Sequence, residues 1–198
     1  DGTVLLTENL TAGLTYAWTD AEITERISTD EADLQGLTDV TDVDQVAMLG
    51  DVSGREVPRI PEHQVSLFGR YERPFGGGDN SWFVSADWAY EDSKWSQEHN
   101  LIETGDRNIV GLQAGVLIGN WEFKIWGKNI FDDDTPVDVI RYLDRRTSTL
   151  PSCNSVLGAP PGPPIPACSG QSTSPRAFGL SLPRQSQWGA TVNFRFGS

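Results

Sequence analysis

The chain has 198 residues and carries 28 Asp and Glu against 15 Lys and Arg, which gives a formal net charge of −13. This charge argues against a nucleic-acid partner, because the sequence has no basic run that could release counterions from phosphates. No stretch approaches about 18 consecutive apolar residues, which excludes a transmembrane helix but not strands that carry apolar residues at alternate positions.

Six segments alternate apolar and polar residues with the period of two that is typical of strands. They are LTAGLTYAW (10–18), HQVSLFGRYE (63–72), SWFVSADWAYE (81–91), VGLQAGVLIG (110–119), WEFKIWGKNIF (121–131) and QWGATVNFRF (187–196). Before them, TVLLT (3–7) is predicted to end an earlier strand that turns at Glu8 and Asn9. The sequence therefore predicts an all-β fold, an antiparallel meander of about six to seven long strands. Because the chain begins at Asp1 without a methionine, we expect a processed product or a fragment.

The connections between these segments alternate in length. Long loops are predicted at about 21–61 and 132–184, and short turns at about 74–80 and 119–120. The second short turn is Gly119-Asn120, a tight hairpin signal. Short turns therefore lie at one end of the predicted sheet and long loops at the other, as in the wall of an asymmetric barrel.

The first long loop is strongly acidic. Residues 20–56 hold eleven Asp or Glu against Arg26 and Arg55, which predicts a solvated, mobile loop. Asp39, Asp42 and Asp44 lie close enough in sequence to hold Ca²⁺, but this stretch lacks the Gly and bidentate Glu of an EF-hand loop. For the acidic run at 132–134 we expect a solvated strand end.

The two faces of the predicted strands differ in character. Aromatic residues stand near the ends of the apolar faces, as in the two interfacial girdles of an outer-membrane barrel: Trp18, Trp82, Trp88, Trp121, Trp188 and Phe196. Charges on the opposite faces suggest a wet lumen, where they would contact a plug or pair with one another: Arg70, Glu72, Asp87, Glu122 and Lys124. The alternative to a membrane barrel is a soluble β-sandwich that binds a ligand, because the strands of a sandwich also alternate apolar and polar residues.

Three motifs resemble the TonB-dependent outer-membrane receptors. NWEFKIWGKNIFDDDTP resembles their penultimate strand, which runs into an Asn-aromatic-Asp motif, here Asn129, Phe131 and Asp132. SPRAFGLSLPRQSQWGATVNFRF is similar to their closing segment, and VPRIPEHQVSLFGRYE is similar to a Pro-containing loop end before a descending strand. The resemblance covers nearly the whole chain.

The resemblance implies that residues 1–198 form the C-terminal part of a barrel of about 22 strands with a plug in its lumen. Such receptors bind a ligand at the surface of the bacterial outer membrane and import it with energy delivered by TonB. The implied partners are the TonB complex, reached through an N-terminal part, the bilayer with its lipopolysaccharide, and a small-molecule or metal-chelate ligand. A ferric siderophore, cobalamin and an oligosaccharide all stay open as ligands. A structural or adhesive outer-membrane protein is the alternative.

The second long loop carries two further candidate features. Cys153 and Cys168 enclose a Pro-rich stretch, and a disulfide between them would stabilise the loop by about 3 kcal/mol in the chain-entropy model. RYLDRR is the one basic cluster, with Arg141, Tyr142, Arg145 and Arg146. These residues either pair with the acidic loop or with lipopolysaccharide phosphates, or they contact an anionic ligand.

No catalytic spacing stands out in the sequence. HExxH, CxxC, GxSxG and P-loop patterns are absent, and the only two histidines, His63 and His99, are predicted to be surface residues. We therefore expect a binding and transport protein rather than an enzyme, with no resident cofactor apart from the Ca²⁺ alternative.

Overall fold

The computed structural model describes residues 1–143 and 176–196. About 50% of the described residues are strand and 8% are helix, which confirms the all-β prediction. The elements follow one another as β1 (Gly2–Thr7), β2 (Leu10–Trp18), α1 (Thr29–Leu34), α2 (Val43–Leu49), β3 (His63–Pro74), β4 (Ser81–Glu91), β5 (Arg107–Ile118), β6 (Trp121–Lys128), β7 (Asp138–Leu143), β8 (Arg176–Ser181) and β9 (Gln187–Phe194).

Seven strands form one antiparallel sheet in the order β1-β2-β3-β4-β5-β6-β9. Strands β7 and β8 pair only with each other, as a separate hairpin within the connection from β6 to β9. The meander, its first turn at Glu8 and Asn9 and the two-residue turn at Gly119 and Asn120 agree with the sequence prediction. The hairpin β7–β8 was not predicted.

The strand register sorts the side chains into two continuous faces. Leu14 pairs with Leu67, Leu67 with Trp88, and Trp88 with Val110, so one apolar row crosses four strands. The next row, which points to the opposite face, runs from Phe68 through Asp87 to Gly111. Because side chains alternate along a strand, most apolar positions of the sheet share one face, called the outer face below, while a few large apolar side chains such as Phe83 and Trp126 belong to the opposite face. The opposite face is called the inner face.

The outer face is not covered by a second layer within the described part of the chain. Leu14, Ile125 and Val192 are 51%, 65% and 57% exposed. Four apolar residues of the described ranges are buried, and only one of them, Phe83, belongs to the seven-stranded sheet. A β-sandwich would bury this face against a second sheet, whereas within the described residues it is largely exposed.

The acidic segment between β2 and β3 is folded. It contains α1 and α2 and closes on itself through the isolated bridges Glu22–Glu56 and Ile27–Asp51. Ala32 and Val52 are fully buried within it. The prediction of a solvated acidic loop is therefore wrong around residues 28–32 and 50–52, whereas α2 between them has no buried residue. Across residues 1–143 and 176–196, the helices are too short and too polar to span a bilayer.

Candidate functional site

Aromatic residues form two belts on the outer face, one at each end of the strands. At the end with the short turns, Trp121 lies 4.6 Å from Phe194 between ring centroids, and Phe194 lies 4.7 Å from Phe196. Tyr71 and Trp82 are 5.4 Å apart at the same end. The register places the other belt at the end with the long loops, where its members are Tyr16, Trp18, Trp88, Tyr90 and Trp188. All six aromatics predicted from sequence fall on one of the two belts or just beyond it.

On the inner face, large side chains lie over glycines of the neighbouring strand. A Cβ added to Gly115 would lie 2.6 Å from the ring of Phe83, its cross-strand partner. A Cβ added to Gly189 would lie 2.4 Å from the indole of Trp126, again its partner. The glycines therefore provide the space in which these rings lie flat against the sheet.

The five predicted inner-face charges all belong to this face, and several of them have partners there. Arg70 and Glu72 form an ion pair at 2.8 Å, and the Arg70 guanidinium lies 3.8 Å from the ring centroid of Phe83. Glu122 accepts a hydrogen bond of 2.9 Å from the side chain of Asn193. These contacts fit a self-paired wall, one of the two alternatives from the sequence. The other two charges are Asp87, over Gly111, and Lys124, opposite Thr191.

At the end with the long loops, five charged or titratable side chains join three separate segments. They are called the loop cluster: Asp30, Glu31, Arg55, His99 and Arg141. The first three belong to the segment between β2 and β3, His99 to the β4–β5 loop and Arg141 to β7. The cluster therefore ties the acidic segment to both of the other loops.

His99 is the centre of the loop cluster. Its Nδ1 lies 2.8 Å from the Glu31 carboxylate and its Nε2 lies 2.9 Å from that of Asp30. Its side chain is only 3% exposed, so the prediction that His99 is a surface residue is wrong. Both ring nitrogens lie within hydrogen-bond distance of a carboxylate. The ring is thus fully engaged and acts as a connector rather than as an accessible base.

Glu31 is buried in an ionised state. Its side chain is 3% exposed and receives hydrogen bonds from Arg55 at 2.7 Å and from Gln35 at 2.8 Å. The hydrogen bond from Arg55 is the largest influence, and together with those from Gln35 and His99 it outweighs burial and lowers the pKa of Glu31 from 4.5 to about 2. The same pair raises the pKa of Arg55.

The basic cluster predicted from sequence is only partly described. Arg141 forms an ion pair with Asp30, which agrees with the alternative that it pairs with the acidic loop. Tyr142 belongs to β7, and its backbone pairs with that of Ala177 in β8. The other members of the cluster and the predicted disulfide lie outside the described residues: Arg145, Arg146, Cys153 and Cys168.

The Asn-aromatic-Asp motif forms a hydrogen-bonded turn after β6. The Asn129 amide donates to the carbonyls of Asp133 at 2.9 Å and Arg184 at 3.1 Å, and its Oδ1 accepts from the Asp133 N–H. Asp132 accepts from the Ser186 N–H and Asp133 from the Asn108 N–H. Asp132 and Asp134 are exposed, as expected for a solvated strand end, whereas Asp133 is partly buried. The carboxylates of Asp132 and Asp133 also hold neighbouring backbone in place.

Two of the three aspartates of the Ca²⁺ alternative, Asp39 and Asp42, accept hydrogen bonds from nearby backbone N–H groups. Asp39 accepts from the N–H and hydroxyl of Thr41, and Asp42 caps α2 by accepting from the N–H groups of Asp44 and Gln45. These are the usual roles of aspartate in turns and at helix starts.

The comparisons with known proteins add no family assignment. No protein-family model matches the sequence, and no curated protein is significantly similar to it.

Proposed function

We propose that this chain is a wall segment of an outer-membrane β-barrel receptor of the TonB-dependent type. Such a receptor binds a ligand at the cell surface and imports it with TonB-derived energy. The observation that carries the proposal is the continuous apolar outer face, bounded at both strand ends by aromatic belts. The resemblance of the three sequence motifs supplies the family.

The dimensions of the sheet fit a bilayer. Strand β4 has 11 residues, and β3 and β5 have 12 each. At about 3.4 Å per residue β4 is about 37 Å long. With the tilt of about 35–45° usual in outer-membrane barrels, its height would be about 26–30 Å, close to the apolar band of about 25 Å in such barrels.

The two edges of the sheet support a place in a larger wall. Among the described residues, β1 and β9 each have a neighbour on one side only. In hydrocarbon, unpaired N–H and C=O groups cost several kcal/mol each, so both edges must meet further strands. The strands that meet them belong either to the same polypeptide or to other copies.

The loop cluster supports a receptor rather than an open pore. It holds the acidic segment, the β4–β5 loop and β7 together at one end of the sheet through ion pairs with little solvent access. An ordered set of loops provides a fixed surface that a ligand can recognise, because loops held by a rigid scaffold keep their side chains in position.

The proposal is tested in the producing cell. We expect the native protein in the outer-membrane fraction, in a polypeptide several times the 21.7 kDa of this chain. We also expect cells to take up ⁵⁵Fe bound to a hydroxamate or catecholate chelator, or labelled cobalamin, in a way that a protonophore abolishes and that deletion of the gene removes. A polypeptide of about 21.7 kDa would favour a barrel assembled from several chains. A protein that is soluble without detergent would contradict both the single-chain receptor and the multi-chain barrel.

A further inference from the structure

We propose that Glu62, His63 and Asp92 form a binding site for a divalent transition metal of the Zn²⁺ type. One ligand atom from each of the three side chains lies within 4.8 Å of those of the other two. The site lies at the loop end of the sheet, where β3 begins and β4 ends. The inference rests on the geometry of these strand ends and is independent of the proposed transport function.

The backbone holds the three residues side by side. His63 pairs with Trp18 of β2, and the Asp92 N–H donates to the His63 carbonyl at 3.0 Å, just beyond the ladder between β3 and β4. The Glu62 carbonyl accepts from the Thr19 N–H at 2.9 Å. The ligands therefore stand on paired strand ends rather than on a free loop, which is the kind of support that a precise metal site needs.

The imidazole is oriented by Tyr16. The phenol oxygen lies 3.0 Å from His63 Nδ1, and the two rings stack with their centroids 6.0 Å apart. When Nδ1 carries the proton and donates to this oxygen, the lone pair of Nε2 points away from Tyr16. Nε2 lies 3.7 Å from the Glu62 carboxylate, so it faces the other ligands. A metal-bound histidine usually has such a partner on its other nitrogen.

The two carboxylates are oriented by aromatic residues of the same belt. Glu62 Oε1 accepts from Trp18 Nε1 at 3.1 Å. Asp92 Oδ1 accepts from the Tyr90 hydroxyl at 3.2 Å and from the Ser93 N–H at 3.0 Å. Each ligand thus receives a hydrogen bond that limits its rotation and leaves further lone pairs for a cation.

The three donor groups favour a cation that is intermediate between hard and soft. One imidazole with two carboxylates suits Zn²⁺, whereas Mg²⁺ and Ca²⁺ prefer oxygen ligands alone. The His63 and Glu62 side chains are 40% and 57% exposed, so a cation can enter from solvent and complete its coordination with water. Three protein ligands and a water match the open type of zinc site rather than the closed structural type.

The test is a titration of the detergent-solubilised native protein, stripped of metal by a chelator and prepared without an oligohistidine tag. We expect calorimetry with Zn²⁺ to show one saturable site, and Co²⁺ to produce a visible d–d absorption band at the same stoichiometry. His63→Gln and Asp92→Asn should each weaken Zn²⁺ binding at least tenfold. Tyr16→Phe should weaken it by about 10–100-fold, because it removes only the orienting hydrogen bond.

Two controls make the result specific. Asp134→Asn removes an exposed carboxylate elsewhere and should leave Zn²⁺ binding unchanged. A variant with Cys153→Ser and Cys168→Ser should also bind normally, which excludes the thiols as ligands. The absence of a saturable site, equal binding by His63→Gln and the parent, or loss of binding in the Cys→Ser variant would each overturn the proposal.

Discussion

The ring of Phe83 lies over the backbone of Gly115, its cross-strand partner on β5. Phe83 is 2% exposed, and the Arg70 guanidinium lies over its ring at 3.8 Å from the ring centroid. Glycine, ring and guanidinium thus pack together on the inner face. Only a glycine at position 115 leaves room for the Phe83 ring. The pairing of this ring with Gly115 therefore helps to fix the register of β4 against β5.

We expect Gly115→Ala to destabilise the sheet. The new Cβ would lie 2.6 Å from the Phe83 ring and 2.8 Å from the Phe123 carbonyl oxygen, so ring or backbone must move. Overpacking of this kind costs about 1–3 kcal/mol, which a lower urea midpoint in detergent micelles would show. Gly69→Ala is the matched control, because no atom lies within 4 Å of its added Cβ. Equal midpoints for the two variants would contradict this packing.

The loop cluster should unfold locally when Glu31 loses its charge. In Glu31→Ala the half-buried Arg55 and the buried His99 lose this carboxylate, and breaking one partner of a buried pair costs up to about 3–5 kcal/mol. We expect hydrogen exchange to accelerate at 28–35 and 95–104, with the amides of β3 to β6 unchanged. Glu25→Ala, at an exposed position of the same segment, should leave both regions protected. If residues 28–35 and 95–104 were protected as well in Glu31→Ala as in the parent, the cluster would contribute little to the order of these loops.

Acid should loosen the same loops. The pKa of Glu31 is about 2 in the folded protein against 4.5 for the free group. A carboxyl with a lowered folded-state pKa stabilises the fold above the unfolded value and loses that contribution as the pH falls from about 4.5 toward 2. Asp39 and Asp51 also have lowered pKa values through hydrogen bonds to Thr41 and Ser53, so they act with the same sign.

The contribution of Glu31 can therefore be measured as the difference between the parent and Glu31→Gln in how loop protection depends on pH. We expect loop protection in the parent to decline from pH 4.5 downward, and the protection in Glu31→Gln to be lower at neutral pH and to change less over that range. The measurement is hydrogen exchange corrected for the intrinsic pH dependence of the rate. Parallel profiles would mean that Glu31 does not titrate as its surroundings imply.

Asn129 should be hard to replace. Its side chain makes three hydrogen bonds with backbone groups, and its φ of 49° lies in the left-handed region. Asn129→Ala loses the bonds and meets the backbone penalty, for a total of about 4–5 kcal/mol from about 1 kcal/mol per bond and 1–2 kcal/mol for the conformation. Asn129→Gly loses the bonds but tolerates this φ, so its urea midpoint should lie between those of the parent and Asn129→Ala. A Gly variant less stable than the Ala variant would contradict this account.

The strands were predictable because their signal is local. Alternation from Trp188 to Phe194 is visible in seven consecutive residues, and the Gly119-Asn120 pair marks the hairpin between β5 and β6 without help from the rest of the chain. The faces follow once the register is known, since a period of two leaves only two choices for each strand.

The loop cluster was not predictable because its contacts are distant in sequence. His99 and Glu31 are 68 positions apart, and no local pattern links them. Helix α1 has six residues, too few to show a period of 3.6. Its one local signal is Ser28 three residues before Glu31, the pattern of a capping box. The Ser28 hydroxyl does accept from the Glu31 N–H, but the Glu31 carboxylate turns to Arg55 and His99.

The most direct measurement of the central claim is a nitroxide scan along β6. Single cysteines at residues 121–128 of the native protein, with Cys153 and Cys168 replaced by serine, are spin-labelled in lipid vesicles and exposed to oxygen or to a water-soluble nickel chelate. Labels at Phe123 and Ile125 should collide mostly with oxygen, and labels at Glu122 and Lys124 mostly with nickel, in a period of two. Equal nickel access at both sets would contradict the claim that the outer face of this sheet lies against lipid.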